Sequence, residues 1–311
     1  MPNAATPIAI VHLPYQPPFD WPRMLRFFSG RATLGVEAVE HGAYLRAIEW
    51  EGDAGTLAVT QDAARHSLVA TLSGAVSRHA DALAAPLSRM FDLHADPAAI
   101  KKVLGADPWF KPLLKAAPGL RVPGAWSAFE LVVRTIVGQQ VSVKAATTIV
   151  GRVVQRAGRR IPGHPHEHTA WRFPTPAALA DADLSAIGMP GKRVQALQGF
   201  ARAVADGVAV IDPPGQPYTS GQLAELRTTL LALPGIGPWT VEYVAMRAWR
   251  DTDGWPATDL VLMQAITARD PMLLKPAQQK QRSQAWSPCR AYAAQHLWNE
   301  IADRAQGERG G

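Results

Sequence analysis

Residues 230–266, LLALPGIGPWTVEYVAMRAWRDTDGWPATDLVLMQAI, contain the pattern that decides the fold. They predict a helix, a four-residue hairpin, a second helix, a polar loop and a third helix. Pro234 cannot continue a helix, and Gly235 and Gly237 are predicted to supply the positive φ angles and close backbone approach of a tight turn. The hairpin exposes unpaired N–H groups at a helix N-terminus, which suits an anion such as phosphate.

Aromatic residues and one carboxylate follow the hairpin. Trp239 and Tyr243 stand at i and i+4 on one face of the second helix, with Met246 at i+7. Asp259 comes sixteen residues after Tyr243, where an Asp can cap or open the third helix. In an arbitrary sequence a helix cap and core aromatics would be the default interpretation.

The composition sets limits on the class of protein. The 311 residues are 47% hydrophobic and 19% charged, with a net charge of +6, which is compatible with a polyanionic partner. The single Cys289 excludes an internal disulfide framework and a cluster held by four thiolates of this chain. Since no apolar stretch approaches 18 residues, we expect no membrane span, and a cytoplasmic location.

Working outward, the sequence predicts two kinds of structure. Residues 1–14 are expected to be an extended or frayed lead, and 20–30 a helix capped by Asp20. Alternating apolar residues in 57–59 and 68–72 predict an antiparallel sheet. The fold class is therefore α+β, with a small N-terminal domain over 1–95 and an all-helical region over 96–311 that has its helix-hairpin-helix near 220–250.

The helical region begins with a start signal and then contains many short helices. Ser127 and Glu130 form a sequence capping box, Gly138-Gln139-Gln140 interrupts the helix, and residues 159–168 are predicted to be a loop. The later predicted helices cover residues 175–187, 191–206, 220–233, 238–249, 259–269, 276–286 and 288–305.

Several motifs together resemble a known family. LPGIGPWTVEYV with its distant Asp resembles the helix-hairpin-helix, Gly/Pro-rich loop and Asp signature of base-excision DNA glycosylases. YQPPFDWPRMLRFF, RHSLVATLSG, IVGQQVSV, IGMPGKR and WSPCRAYAAQHLW extend the resemblance to the bacterial DNA-3-methyladenine glycosylase II family, over about residues 15–298. The resemblance implies a small α+β domain on two helical subdomains, with the active site in the cleft between the subdomains.

The resemblance also implies roles for individual residues. Asp259 would stabilise an oxocarbenium-like sugar and activate water, and Phe27, Trp239, Tyr243 and Trp298 would surround a flipped base. The substrate would be double-stranded DNA with alkylated bases, bound by a monomer in the bacterial nucleoid. Strand-cutting relatives have a Lys where this chain has Trp239, so we expect base release without strand cleavage, and the lone Cys argues against an iron–sulfur cluster.

The DNA contacts follow from the same resemblance. Gln140 occupies the position of a Leu that wedges into the duplex, and Leu260 replaces an aromatic residue after the catalytic Asp; both departures leave the lesion range open. Gly235 and Gly237 would anchor phosphate, and Lys192 and Arg193 could contact it. The carbonyls of Leu231, Leu233 and Ile236 would hold a structural Na⁺ or K⁺, and no cofactor would be needed for catalysis.

Two rival functions stay open at this point. The chain could excise deaminated or oxidised bases, or it could be a non-catalytic helix-hairpin-helix DNA-binding protein, although a binding module has no use for Asp259 and a pocket of rings. His164, His166 and His168 lie in a Pro/Gly loop with no further ligand nearby in sequence, so no metal site is predicted there.

Overall fold

The computed structural model describes residues 7–162, 164 and 166–310. A five-stranded antiparallel sheet occupies the N-terminal part, in the order β1-β5-β4-β3-β2. Its strands are β1 (Ile8–Pro14), β2 (Glu37–Glu40), β3 (Ala43–Trp50), β4 (Asp53–Asp62) and β5 (Ser67–Gly74). Residues 1–14 are predicted to be extended or frayed; residues 8–14 are extended and pair with β5 as an edge strand, and 1–6 lie outside the described residues.

Helices make up most of the remaining chain. In the N-terminal part they are α1 (Trp21–Ser29) and α2 (Ala80–Met90). The later helices are α3 (Pro97–Leu104), α4 (Lys111–Ala116), α5 (Ala128–Gly138), α6 (Val143–Ala157), α7 (Pro176–Asp181), α8 (Gly191–Ala205), α9 (Ser220–Leu231), α10 (Pro238–Arg247), α11 (Leu260–Thr267), α12 (Pro276–Arg282) and α13 (Arg290–Gly310). The predicted α+β class is confirmed, while the domain boundary near residue 95 stays a prediction.

Two sequence predictions of local structure need correction. The helix expected over 175–187 ends at Asp181, because the Asp183 side chain accepts from the Ser185 N–H and turns the chain. The loop predicted over 159–168 begins with a short strand, β6 (Arg159–Arg160), which pairs with β7 (Trp171–Arg172). These residues are too few to produce a periodic pattern in the sequence.

The capping box at the start of α5 is only half formed. The Ser127 hydroxyl accepts from the Glu130 N–H at 3.1 Å, as predicted. The Glu130 carboxylate instead turns away from the helix start and accepts from Arg46 and Arg134. The charges of the buried Arg46 and the half-buried Arg134 compete more strongly for the carboxylate than a backbone N–H does.

Apolar side chains form three cores. One lies between the sheet, α1 and α2. A second is formed by the six consecutive helices from α5 through α10, and a third by α3, α4, α11 and α13. Tyr243 packs against both helical cores, so α10 runs along the boundary between them. Within the described ranges no helix is both long enough and apolar enough to cross a bilayer.

Candidate active site

The hairpin between α9 and α10 is held by its neighbours. Gly235 has φ +81°, and an added Cβ would lie 2.9 Å from the Ala196 Cβ on α8, so both its conformation and its packing require glycine. Its carbonyl accepts from Gln139 Nε2 at 2.8 Å. The prediction of a positive φ at Gly237 is wrong: this residue is the N-cap of α10, with φ −108° in the extended region.

The Asp259 carboxylate is fixed from three sides. Oδ1 accepts from the Leu262 N–H and from Trp298 Nε1, both at 2.9 Å, and Oδ2 accepts from Trp239 Nε1 at 2.9 Å. Asp259 is therefore both the N-cap of α11 and a carboxylate oriented by two indoles. A carboxylate has about four acceptor positions. Three are occupied here, so one remains for a further donor.

The predicted aromatic residues line one cavity of about 760 Å³ together with Asp259. The Trp239 and Tyr243 rings stack with centroids 4.9 Å apart and an interplanar angle of 13°. Trp298 meets Tyr243 edge-on at 6.1 Å. Phe27 enters from α1, so three helices distant in sequence, α1, α10 and α13, build this pocket. The structure thus brings all four predicted rings together.

The rim of the cavity includes Gln140, which lies in the turn between α5 and α6. Gln140 is exposed and has φ +58°, in the left-handed region that non-glycine residues seldom adopt. Val143, at 51% exposure, and Leu260, at 73%, also line the cavity. The mouth is thus bordered by exposed apolar side chains and one strained polar residue.

The other predicted DNA contacts lie outside the cavity. Lys192 and Arg193 belong to the first turn of α8, with Lys192 exposed, and neither lines the cavity. The first turn of α8 is nevertheless close to the hairpin, because Ala196 packs on Gly235. Basic side chains and hairpin therefore lie on adjoining parts of the surface.

One monovalent-cation site is predicted, on the carbonyls of Leu231, Leu233 and Ile236, and none in the His-containing loop. Leu231 and Leu233 lie at the C-terminal end of α9, where the last carbonyls lack helical partners, and Leu233 O accepts from the Ile236 N–H at 3.3 Å. In the His-containing loop, His164 Nε2 lies 2.8 Å from Thr169 Oγ1. Among the described residues no group of three or more His, Cys, Asp or Glu side chains could hold a metal.

The sequence interpretation missed the arginines that line the cavity, and two of them lie over the Phe27 ring. Arg247 is 2% exposed, and its guanidinium carbon lies 4.4 Å from the Phe27 ring centroid and 4.7 Å from that of Tyr243. The exposed Arg31 covers Phe27 at 4.1 Å. Burial would raise the pKa of Tyr243, but the charges of Arg247 and Arg31 outweigh burial and lower the pKa. The signal for Arg247 was its i+4 spacing from Tyr243.

Residues 10–127 match the model of the AlkA N-terminal domain, and residues 133–291 match the HhH-GPD superfamily base excision DNA repair protein model. The chain belongs to the HhH-GPD superfamily.

Individual known proteins are similar to this chain over most of its length. DNA-3-methyladenine glycosylase 2 of Escherichia coli is 37% identical over 92% of this chain and 95% of its own. The solved structure of a 3-methyladenine DNA-glycosylase from Archaeoglobus fulgidus has a TM-score of 0.76 at 18% identity, and covers 94% of this chain and 98% of its own. An 8-oxoguanine glycosylase/lyase from Clostridium acetobutylicum, solved with double-stranded DNA, has a TM-score of 0.62 at 14% identity, and covers 88% and 99%. At these identities the two structures establish the HhH-GPD fold alone.

Proposed function

We propose that the protein is a monofunctional DNA glycosylase that hydrolyses the N-glycosidic bond of alkylated bases, above all 3-methyladenine-type and 7-methylguanine-type purines. One observation carries the proposal: the Asp259 carboxylate, oriented by two indole N–H groups, opens onto a cavity lined by aromatic rings. The similarity to DNA-3-methyladenine glycosylase 2 over nearly the whole chain supports the same substrate class.

The chemistry of the reaction suits this arrangement. As the base departs, the sugar becomes an oxocarbenium-like cation. A carboxylate at ~4 Å in an effective dielectric of ~20 stabilises such a charge by roughly 4 kcal/mol, or about a thousandfold in rate. The free acceptor position of Asp259 can also orient the attacking water. Because alkylated purines already carry positive charge, they leave without a strong general acid.

Access to the bond requires the nucleotide to leave the duplex. The flipped base would stack among Trp239, Tyr243, Trp298 and Phe27, each cation–π contact contributing roughly 0.5–2 kcal/mol. Gln140 would fill the gap in the duplex. Double-stranded DNA is the proposed partner and a monomer the proposed acting form.

Phosphate binding is assigned to the hairpin. Gly237 begins α10 without a side chain, and an added Cβ there would meet nothing within 4 Å, so the start of the helix is open to an anion. Lys192 and Arg193 on α8 would add positive charge beside it. A Na⁺ or K⁺ on the carbonyls of Leu231, Leu233 and Ile236 would brace the turn, and catalysis itself would need no cofactor.

Replacing Asp259 with Asn tests the proposed chemistry. Asn caps helices as well as Asp does, so α11 should remain intact, but the negative charge is lost. Base release from methylated duplex DNA should fall about a thousandfold. Asp96→Asn is the matched control, because Asp96 is the N-cap of α3 and accepts from the Ala98 and Ala99 N–H groups. Release by Asp259→Asn at the wild-type rate would contradict the mechanism.

The absence of strand cleavage is tested separately. Trp239 has no amine to form a Schiff base with the sugar. Incubation of the protein with lesion-containing DNA and borohydride should therefore give no covalent adduct, with a strand-cutting glycosylase as the positive control. A clear adduct would show that an amine elsewhere in the protein reacts with the sugar, and would overturn the monofunctional assignment. A panel of duplexes with alkylated, deaminated and oxidised bases would then define the lesion range.

A further inference from the structure

Arg247 is a buried cation whose polar contacts are all neutral. It is 2% exposed; Nη1 donates to the Pro123 carbonyl at 2.8 Å, and Nη2 donates to Gln295 Oε1 at 3.1 Å. Buried charges in proteins are usually paired with an opposite charge. Burial lowers the pKa of Arg247 to about 10, which still leaves the guanidinium charged at neutral pH. Its positive field is therefore not cancelled by a carboxylate bonded to it.

The position of this charge relates directly to the pocket. Trp239, Tyr243 and Arg247 follow one another at i, i+4 and i+8 along α10, so the first and last are separated by about 12 Å of helix axis. Trp239 bonds Asp259 at one end of this row. At the other end, Arg247 underlies the Phe27, Tyr243 and Trp298 rings, with its guanidinium carbon 4.4 Å, 4.7 Å and 5.3 Å from their centroids. This row of side chains thus has the Asp259 anion at one end and the Arg247 cation at the other.

We infer that Arg247 is a positioning residue that sets an electrostatic gradient across the bond to be broken, with its positive charge at the base end and the negative charge of Asp259 at the sugar end. The inference deepens the proposed glycosylase function and rests on it. In the reaction, the bond between C1′ and the base nitrogen breaks and both electrons stay with the nitrogen. An alkylated cationic base leaves neutral, a neutral base leaves as an anion, and C1′ becomes the cation that water attacks, releasing a proton.

In both cases charge moves in the direction that the gradient favours. A cationic base is repelled by Arg247 before cleavage and relieved of that repulsion when it becomes neutral. A neutral base that becomes an anion is stabilised by Arg247 as it leaves. Arg247 also lies over the Phe27, Tyr243 and Trp298 rings, so its charge weakens, without abolishing, the attraction of these rings for a cationic base. The consequence is weaker binding of a cationic lesion together with faster cleavage.

Two duplexes test this, one with 7-methylguanine (the cationic duplex) and one with hypoxanthine (the neutral duplex). Single-turnover rates and affinities are measured for each. For Arg247→Gln we expect release from the cationic duplex to slow about tenfold while its binding tightens, which is the pattern of lost ground-state repulsion. Release from the neutral duplex should slow about tenfold without tighter binding. Arg247→Lys retains the charge and should recover most of both rates.

Gln295→Glu provides a second route that leaves Arg247 in place. The new carboxylate would sit where Gln295 Oε1 accepts from Nη2, so it would pair with the guanidinium and cancel its field with little change in packing. It should reproduce the tighter binding and slower release expected for Arg247→Gln. Because this variant keeps every side chain that packs around the rings, it remains informative if Arg247→Gln fails to fold.

Arg121→Gln is the matched control. Arg121 is also 2% exposed, donates to the Gln16 carbonyl at 2.6 Å and covers the Phe19 ring at 5.3 Å, but it does not line the cavity. Its loss should lower thermal stability, but it should not combine tighter DNA binding with slower base release. If Gln295→Glu binds and cleaves the cationic duplex as the wild type does, or if binding weakens with the rate, the inference is overturned. Failure of the wild type to release any base would instead overturn the proposed function.

Discussion

For Asp259, the interpretation as a helix cap and the interpretation as a catalytic carboxylate are compatible. It caps α11 through the Leu262 N–H, which is the ordinary role of an Asp before a helix, and its carboxylate also accepts from the indoles of Trp239 and Trp298. A helix cap fixes a carboxylate at low cost, because the backbone that it caps is already ordered. The cap is therefore a means of orienting the group that we propose for catalysis.

Gln140 offers a prediction that separates stability from DNA capture. Its φ of +58° is strained for any residue with a Cβ, so Gln140→Gly should raise the free energy of unfolding by about 1 kcal/mol. The same change removes the side chain proposed to fill the duplex gap, and affinity for lesion-containing DNA should fall about tenfold. Denaturant unfolding and equilibrium binding measure the two effects.

Gln140→Ala is the comparison for this prediction. It removes the same amide group but retains the Cβ and the strained backbone, so it should lose affinity without gaining stability. Unchanged affinity in both variants would argue that the Gln140 side chain does not enter the duplex.

At the scale of elements, α10 combines two tasks. Its N-terminal turn completes the hairpin, and its inward face carries Trp239, Tyr243 and Arg247 into the cavity. The Gln139 side chain links the hairpin to the α5–α6 turn that presents Gln140. Phosphate binding and insertion into the duplex would therefore be mechanically connected.

The two hairpin glycines provide a matched pair. Gly235→Ala should lower the free energy of unfolding by about 2 kcal/mol, because its φ is +81° and its Cβ would press on Ala196. Gly237→Ala should leave unfolding nearly unchanged, since φ is −108° and its Cβ would meet nothing within 4 Å. If a DNA phosphate approaches Gly237, the Ala variant should bind both damaged and undamaged duplexes less tightly than the wild type, and by the same factor.

Binding titrations at several salt concentrations with thermal unfolding would measure both variants. If Gly237→Ala binds both duplexes with wild-type affinity, the proposal that a phosphate binds at Gly237 is wrong. The proposed chemistry at Asp259 would not be affected by that result.

At the scale of the whole molecule, buried charges join the N-terminal sheet to the helical region. Arg46 of β3 donates to Glu130 of α5 at 3.1 Å, and Arg134 donates to both Glu130 and Glu37 at 2.5 Å. Arg134 also donates to the Arg31 carbonyl at 3.0 Å. Because Arg31 follows α1, this network determines how α1 presents Phe27 to the pocket.

The network predicts a pH dependence of stability. Burial alone would raise the pKa of Glu130, but Arg46 and Arg134 outweigh it and hold the pKa well below its ordinary value. A carboxylate with a lowered folded pKa stabilises the protein fully above its unfolded pKa of about 4.3, and that contribution is lost as the pH falls toward the folded pKa. Glu130→Gln should therefore cost about 3 kcal/mol at pH 7, with the difference from wild type narrowing below about pH 4.

Urea unfolding from pH 7 to pH 3 measures this difference. The exposed Glu225 supplies the control, since Glu225→Gln should stay close to wild type throughout the range. A Glu130→Gln deficit that is constant with pH would show that packing, and not the charge of Glu130, is what the substitution removes.

The family resemblance supplied the candidate pocket rings, and the sequence pattern by itself determined the α+β class, most of the helices and the hairpin. These features depend on local rules, namely Gly and Pro at turns, caps before helices and i, i+4 spacing, which operate over a few residues of chain. The predictions failed where local signals were weak or outweighed, as in the two-residue strands β6 and β7, the side chain of Glu130 and the extended Gly237.

Only the tertiary structure decided what surrounds the reacting centre. The two indoles that hold Asp259 come from residues 20 and 39 positions away, and Phe27 from the opposite end of the chain. In the sequence, Arg247 is an ordinary basic residue after an apolar run. In the folded protein it is a buried charge because α1, α10 and α13 converge on it. Burial and the approach of distant charges depend on packing between elements, which no local pattern specifies.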